Sequence, residues 1–147
     1  MDAGLRAGSG PLSLVVPASA EGVRQASDGL ERFTQAHGLD ATVTWPFHVA
    51  LDEVLSNTVR WGHGGDTDQH EIEIQASLQQ GALVLSVVDD APPFNPLETP
   101  EPDVTRPLEE RPVGGLGILV VRKLMDAITY ERREGRNWLV LTRRVDG

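Results

Sequence analysis

Two polar residues four positions apart, Glu53 and Asn57, are the first candidates for chemistry in this sequence. In a helix this spacing puts both side chains on the same side, one turn apart. A carboxylate can accept a proton from an attacking hydroxyl, and an amide oxygen is a hard ligand that suits Mg²⁺. The solvated face of an amphipathic helix contains the same residue types, and for the pair alone that explanation is the more common one.

The second candidate is an aspartate at the end of an apolar strand. Asp89 closes a run of hydrophobic residues, and the chain then breaks into the rigid segment Asp90-Ala91-Pro92-Pro93-Phe94. A half-buried carboxylate at a strand end can accept a hydrogen bond from the amino group of adenine. Asp and Pro are also common in ordinary turns that end strands, so this signal is weak alone.

The third candidate is a glycine run, Gly114-Gly115-Leu116-Gly117, directly before an apolar helix. Glycine lets the backbone approach a ligand closely, and a helix start offers free amides at the positive end of its dipole. This combination suits phosphate oxygens. A flexible hinge at the end of a long loop has the same composition.

Apolar periodicity predicts three helices that would carry these residues. The clearest has a buried stripe at offsets of three and four residues and is closed by Trp61-Gly62; Glu53 and Asn57 lie outside the stripe. A helix over 20–37 is capped by Ser19 and ended by Gly38, and a third helix spans 116–125. The stripe consists of Phe47, Ala50, Leu51, Val54, Leu55 and Thr58.

Strands are predicted between and after the helices. Alternation predicts strands over 71–78 and 82–88 around the turn Gln79-Gln80-Gly81, with further strands over 12–16, 127–132 and 138–143. The order is strand, two helices, two strands, a long loop, a helix and two strands. This order predicts an α+β fold, a two-layer sandwich with a largely antiparallel sheet.

A chain of 147 residues is expected to form a single domain. Residues 1–11 are expected to be a flexible end. Residues 90–113 hold seven of the 10 prolines. A loop this long in a compact domain is functional or disordered, and we expect it to be mobile without a ligand.

Composition excludes several classes of function. The sequence has no cysteine, so disulfides, zinc–thiolate sites and cysteine nucleophiles are excluded. The net charge of −9 argues against direct nucleic-acid binding. Lys123 is the single lysine and follows no phosphate-loop pattern. Without a signal peptide or a membrane-spanning run, a cytoplasmic location is expected.

Taken in order, these motifs resemble the Bergerat-fold, or GHKL, ATPases. Residues 47–63 are similar to their asparagine box, 89–94 and 114–117 to their two glycine boxes, and 90–113 to their ATP lid. More narrowly, the amino-acid sequence of residues 50–57, 114–126 and 135–141 resembles that of the short anti-sigma factor serine/threonine kinases. The resemblance implies their two-layer sandwich, with a mixed, mostly antiparallel sheet and helices on one face.

The resemblance also implies site residues. Glu53 takes the place of the catalytic base, Asn57 that of the magnesium ligand, and Asp89 that of the carboxylate that reads adenine. The remaining positions that match nucleotide-binding residues are Ala91, Gly115, Leu116, Gly117 and Asn137. The sequence departs from the pattern where Ala91 and Pro93 replace glycines, where Val113 replaces the first glycine of the second box, and where Asn137 replaces a threonine.

The implied function is that of a kinase that uses ATP and Mg²⁺. It would phosphorylate a STAS-type anti-anti-sigma protein and hold a sigma factor or another regulator. No membrane partner is expected. The oligomeric state is left open between a monomer and a homodimer. Two alternatives remain. One is a nucleotide-dependent protein-binding switch with little or no kinase activity. The other is a detached catalytic half of a histidine kinase that acts in trans.

Overall fold

The computed structural model describes residues 10–59, 67–98 and 115–145. These residues form five strands, three α-helices and one 3-10 turn. In chain order the elements are β1 (Leu12–Ala18), α1 (Ala20–Ala36), α2 (Ala41–Asn57), β2 (Thr67–Gln79), β3 (Ala82–Asp89), the 3-10 turn (Pro96–Glu98), α3 (Gly115–Leu124), β4 (Ala127–Arg133) and β5 (Arg136–Arg144).

The strands form a five-stranded sheet in the order β1-β2-β3-β5-β4. All four pairings between these strands are antiparallel. Three inward side chains of β2, those of Ile72, Ile74 and Ala76, are at most 1% exposed and join the core with residues from all three helices. The predicted α+β two-layer sandwich is therefore confirmed.

The stripe predicted on α2 forms the centre of this core. Phe47, Ala50 and Leu55 are 0% exposed, and burying one large apolar side chain contributes roughly 1.5–3 kcal/mol. Thr58 differs from the other stripe residues: it is only partly buried, and it lies in a π-helical turn after the helix. The predicted helix end at Trp61-Gly62 lies outside the described residues.

The ends of α1 and α2 follow local capping chemistry. The Ser19 hydroxyl accepts a hydrogen bond from Gly22 N–H at 3.2 Å, and the chain leaves α1 through Gly38 at φ 71°. Asp40 begins α2 by accepting bonds from the backbone N–H and the hydroxyl of Thr42. These bonds hold the pKa of the Asp40 carboxyl below its usual range.

Two tight turns set the strand register. Gln80 and Gly81 join β2 to β3 with φ of 53° and 82°, and Glu134 and Gly135 join β4 to β5 with φ of 54° and 75°. Two consecutive residues with positive φ make the turn whose twist matches that of the flanking strands. With this register, Asp89 at the end of β3 lies directly opposite Asn137 on β5.

Two predictions fall mainly outside this description. The expected flexible N-terminus covers residues 1–11, and only its last two residues are described. Of the predicted lid, residues 90–98 are described, and Pro96–Glu98 form the 3-10 turn. Within the three described ranges, no helix has the length and hydrophobicity needed to cross a membrane.

Candidate nucleotide-binding site

A cleft opens between α2, α3 and the ends of the central strands. Together with the solvent space at its open mouth, it encloses about 440 Å³ of empty volume. Apolar side chains dominate its walls, with a few polar groups among them. The lining residues are Val54, Asn57, Thr58, Val87, Asp89, Ala91, Phe94, Ile118, Tyr130, Asn137 and Leu139.

Asp89 is the buried carboxylate of this cleft. It is the last residue of β3 and shares the inward face of that strand with Val87, so both line the cleft. Its side chain is held in place because Oδ1 accepts a hydrogen bond from Ala91 N–H at 2.8 Å and another from Asn137 Nδ2 at 3.0 Å. A fixed carboxylate in an apolar wall can recognise a ligand group that donates a hydrogen bond.

Ala91 is a buried residue of the cleft wall. It is 2% exposed and lines the cleft. Its carbonyl accepts hydrogen bonds from Arg132 Nη1 at 2.7 Å and Asn137 Nδ2 at 3.2 Å. The turn after Asp89 is therefore fixed to β4 and β5, although it lacks the glycines of the related motif.

Glu53 and Asn57 lie on one side of α2, as their spacing predicts. Asn57 Nδ2 donates a hydrogen bond to Glu53 Oε2 at 3.3 Å. Asn57 is 5% exposed and lines the cleft, whereas Glu53 is partly buried beside it. Within the described part of the chain no donor reaches Asn57 Oδ1, which leaves that oxygen available as a ligand.

The second glycine motif lies at the start of α3, beside Glu53. Gly115 is the first residue of the helix, Leu116 follows, and Gly117 lies in the first turn. A Cβ atom at Gly117 would come within 2.0 Å of Glu53 Oε2. The absence of a side chain at Gly117 thus lets the Glu53 carboxylate pack against the helix start, where backbone N–H groups and the helix dipole favour anions.

Every predicted site residue in the described ranges belongs to this one region of the fold. The sequence model of a protein family, the histidine kinase-like ATPase domain, matches residues 16–143. The chain belongs to this ATPase family. Family membership supports ATP binding in general terms, and it agrees with the order of motifs along the chain.

Two curated relatives of this ATPase-domain chain are named as kinases. The serine/threonine-protein kinase BtrW of Bordetella bronchiseptica is 29% identical over 115 residues, which cover 77% of the chain and 79% of the relative. The serine-protein kinase RsbW of Listeria monocytogenes is 26% identical over 140 residues, which cover 92% of the chain and 87% of the relative. The similarity therefore extends over most of each relative.

Solved structures show the same fold. The RsbU and RsbW domains of Rv1364c from Mycobacterium tuberculosis superpose with a TM-score of 0.66 at 19% identity, covering 92% of this chain and 32% of that one. The catalytic domain of the histidine kinase ThkA superposes with a TM-score of 0.51 at 16% identity, and the superposition covers 90% of this chain and 97% of that one. At these identities the likeness concerns the fold alone.

The donor set of this ATPase domain fits a magnesium ion that is held mainly by its nucleotide. Among the residues that the structure describes, no group of three or more His, Asp or Glu could hold a metal by itself. Mg²⁺ usually keeps several waters and binds phosphate oxygens with one or two protein ligands. The Asn57 amide oxygen is suited to be one of them.

Sequence reasoning missed three residues of the site. Tyr130 and Phe94 line the cleft, and Arg132 binds the Ala91 carbonyl. The alternation of β4 does predict that Ile128 and Tyr130 face inward. Their neighbours, however, depend on the pairing of β4 with β5, which local patterns leave undetermined.

Proposed function

We propose that this ATPase domain is a Mg-ATP-dependent serine/threonine protein kinase. The main support for kinase activity is the position of Glu53 and Asn57. They are joined by a 3.3 Å hydrogen bond and lie between the cleft and Gly117 at the start of α3. A carboxylate, an amide oxygen and a helix start are thus adjacent, and in this proposal they act as proton acceptor, metal ligand and phosphate-binding site. The kinase names of the relatives with matching length support the same activity.

The proposed roles follow from position. Asp89 accepts a hydrogen bond from the adenine amino group, with Ala91 and Asn137 next to it in the cleft wall. At the other end, Gly115, Leu116 and Gly117 contribute the backbone amides of the first α3 turn to the phosphates. The single domain is proposed to close over the nucleotide with residues 90–113 as its lid.

Catalysis would consist mainly of positioning and charge stabilisation. Asn57 would hold Mg²⁺ through its side-chain oxygen, and the metal would neutralise charge on the phosphates. Glu53 would accept the proton of the attacking hydroxyl, because it lies one helical turn from Asn57 and beside the α3 start. The 3.3 Å bond from Asn57 Nδ2 orients the Glu53 carboxylate for that step.

The proposed substrate is a serine or threonine of a STAS-type anti-anti-sigma protein. In the same cycle the kinase would hold a sigma factor or another regulator, as a monomer or a homodimer in the cytoplasm. This proposal rests on the resemblance of residues 50–57 and 114–126 to the anti-sigma factor kinases, and the RsbW name of a relative agrees with it.

The test separates chemistry from binding. Glu53→Gln keeps the size of the side chain and its hydrogen bonding but removes the base. It is expected to bind Mg-ATP nearly as wild type does and to transfer phosphate about 10²–10⁴-fold more slowly. Asn57→Ala should weaken Mg-ATP binding and slow transfer. Radiolabelled transfer to a STAS-type partner isolated by pull-down measures the rate, and calorimetry measures affinity.

An exposed residue on the same helix supplies the control. Asp52→Asn changes a neighbouring carboxylate on the solvent side of α2, and it should leave both quantities unchanged. A wild-type protein that binds ATP and the partner but transfers no phosphate would refute the kinase and favour the protein-binding switch. If Glu53→Gln transfers as fast as wild type, Glu53 is not the base.

A further inference from the structure

Asn137 is at the centre of a hydrogen-bond network on the wall of the cleft. Its Nδ2 donates to Asp89 Oδ1 at 3.0 Å and to the carbonyls of Ala91 and Pro92, each at 3.2 Å. Its Oδ1 accepts from Phe94 N–H at 3.3 Å and from the Tyr130 hydroxyl at 2.6 Å. Both ends of the amide are therefore engaged by the protein itself.

The chemistry of these partners fixes which way the Asn137 amide points. An amide oxygen only accepts hydrogen bonds and an amide nitrogen only donates them. The oxygen faces two donors, Phe94 N–H and the Tyr130 hydroxyl, and the nitrogen faces acceptors alone. A flipped amide would point its oxygen at the Asp89 carboxylate and at two carbonyls, so the network strongly disfavours it.

The network also orients Asp89. Both hydrogen bonds to that carboxylate, from Ala91 N–H and Asn137 Nδ2, end on Oδ1. No donor from the described ranges reaches Oδ2, which leaves this oxygen available to a ligand in the cleft. A buried carboxylate held in one rotamer is a selective acceptor, because it does not reorganise when the ligand binds.

The same group of residues fixes the turn that follows Asp89. Arg132 Nη1 donates to the Ala91 carbonyl at 2.7 Å, while Asn137 contacts Ala91, Pro92 and Phe94. Glycines would make such a turn adaptable, whereas Pro92 and Pro93 make it stiff. The cross-strand bonds hold the stiff turn in a single position against the cleft.

We propose that Asn137 and Tyr130 are positioning residues that act through Asp89 and set purine selectivity. This inference rests on the nucleotide-binding part of the proposed function and is independent of phosphate transfer. Asp89 Oδ2 accepts from a 6-amino group, whereas a 6-oxo group brings two acceptors face to face. Tyr130 fixes the Asn137 amide, and Asn137 directs Oδ2 towards the purine edge.

The test compares ATP with inosine triphosphate, which carries a 6-oxo group in place of the 6-amino group. Calorimetry in Mg²⁺ gives both dissociation constants and thus a selectivity ratio. Tyr130→Phe removes only the hydroxyl and is expected to lower the ratio about three- to tenfold, the effect of one hydrogen bond. Asn137→Asp removes both amide donors at equal size and should lower the ratio further.

The controls separate positioning from general damage to the site. Thr129→Val removes a hydroxyl from an exposed position on the same strand and should leave the ratio unchanged. Asp89→Asn should abolish most of the selectivity, and adding Tyr130→Phe to it should change little. Tyr130 is the single tyrosine of the chain, so one ¹⁹F resonance of 3-fluorotyrosine-labelled protein should shift when ATP binds.

Each outcome bears on a different claim. An unchanged ratio in Tyr130→Phe, or equal weakening of both nucleotides, overturns the positioning role. If Asn137→Asp fails to fold, Tyr130→Phe still decides the question. A wild-type protein that binds neither nucleotide overturns both this inference and the proposed function. Selective ATP binding without phosphate transfer overturns only the kinase.

Discussion

At the scale of single residues, the contact between Gly117 and Glu53 connects two motifs that lie far apart in the sequence. The Glu53 carboxylate occupies the space that a side chain at Gly117 would fill, with Oε2 2.0 Å from the ideal Cβ position. Because the clash involves the far end of a flexible side chain, the protein can relieve it by moving the carboxylate. The glycine therefore matters for the position of Glu53 more than for folding.

This contact makes Gly117→Ala a direct prediction. Alanine favours a helix over glycine by about 0.8–1 kcal/mol, so the free energy of unfolding should stay equal or rise. Phosphate transfer should fall about 10-fold or more, because a displaced base is poorly aligned with its hydroxyl. Urea unfolding and radiolabelled transfer measure the two quantities. Val120→Ala, at an exposed position of α3, is the control, and a variant with full activity would contradict the prediction.

At the scale of elements, α1 packs against β1 through two glycines of different character. A Cβ at Gly22 would lie 1.8 Å from the backbone oxygen of Pro17. A Cβ at Gly29 would lie 2.6 Å from Leu14 Cδ2, the end of a side chain. Backbone cannot move without displacing the whole strand, whereas a leucine can change its rotamer.

The two glycines therefore predict unequal stability changes for the same substitution. Gly22→Ala should destabilise the protein by about 1–3 kcal/mol or more through overpacking, since the Ser19 cap on Gly22 N–H would shift as well. Gly29→Ala should change stability by less than about 1 kcal/mol, because the helix-propensity gain offsets the repacking of Leu14. Urea unfolding of both variants measures the two changes in the free energy of unfolding. Equal changes would contradict the distinction between the backbone contact at Gly22 and the side-chain contact at Gly29.

At the scale of the whole molecule, the proposed nucleotide cleft joins the two layers of the sandwich. Val54 and Ile118 contribute from the helices, and Val87 and Leu139 contribute from the sheet. Unfolding destroys every wall of such a site, so a ligand that binds there stabilises the entire domain. Nucleotide binding should thus be measurable as a shift in the melting temperature.

The size of the shift can be predicted. ATP with Mg²⁺ at 100 times its dissociation constant adds about 2.7 kcal/mol of stability. For a chain of 147 residues this corresponds to a rise in Tm of about 5–10 °C. Asp89→Asn should show a smaller rise at the same ATP concentration, because the charge-assisted bond to adenine is worth about 1–3 kcal/mol. Differential scanning calorimetry measures both, and equal shifts would remove Asp89 from the adenine site.

The sequence by itself determined the type and order of the helices and strands and the part of the core that α2 supplies. Offsets of three and four residues marked α2, alternation marked β2 and β3, and these patterns depend on neighbours within a few positions. The start of α2 at Ala41 was not apparent from the sequence, because Pro46 inside the helix has the character of a helix breaker. Local signals also located Glu53, Asn57 and Asp89, since strand ends and helix faces are local properties.

Only the tertiary structure decided how these residues meet. Asn137 reaches Asp89 because β3 pairs with β5 in one register, and Tyr130 reaches Asn137 because β4 pairs with β5. Gly117 receives the Glu53 carboxylate because α3 packs beside α2. Registers and packing arise from contacts between distant segments, and a period of 2 or 3.6 residues says which face is buried but not which neighbour covers it.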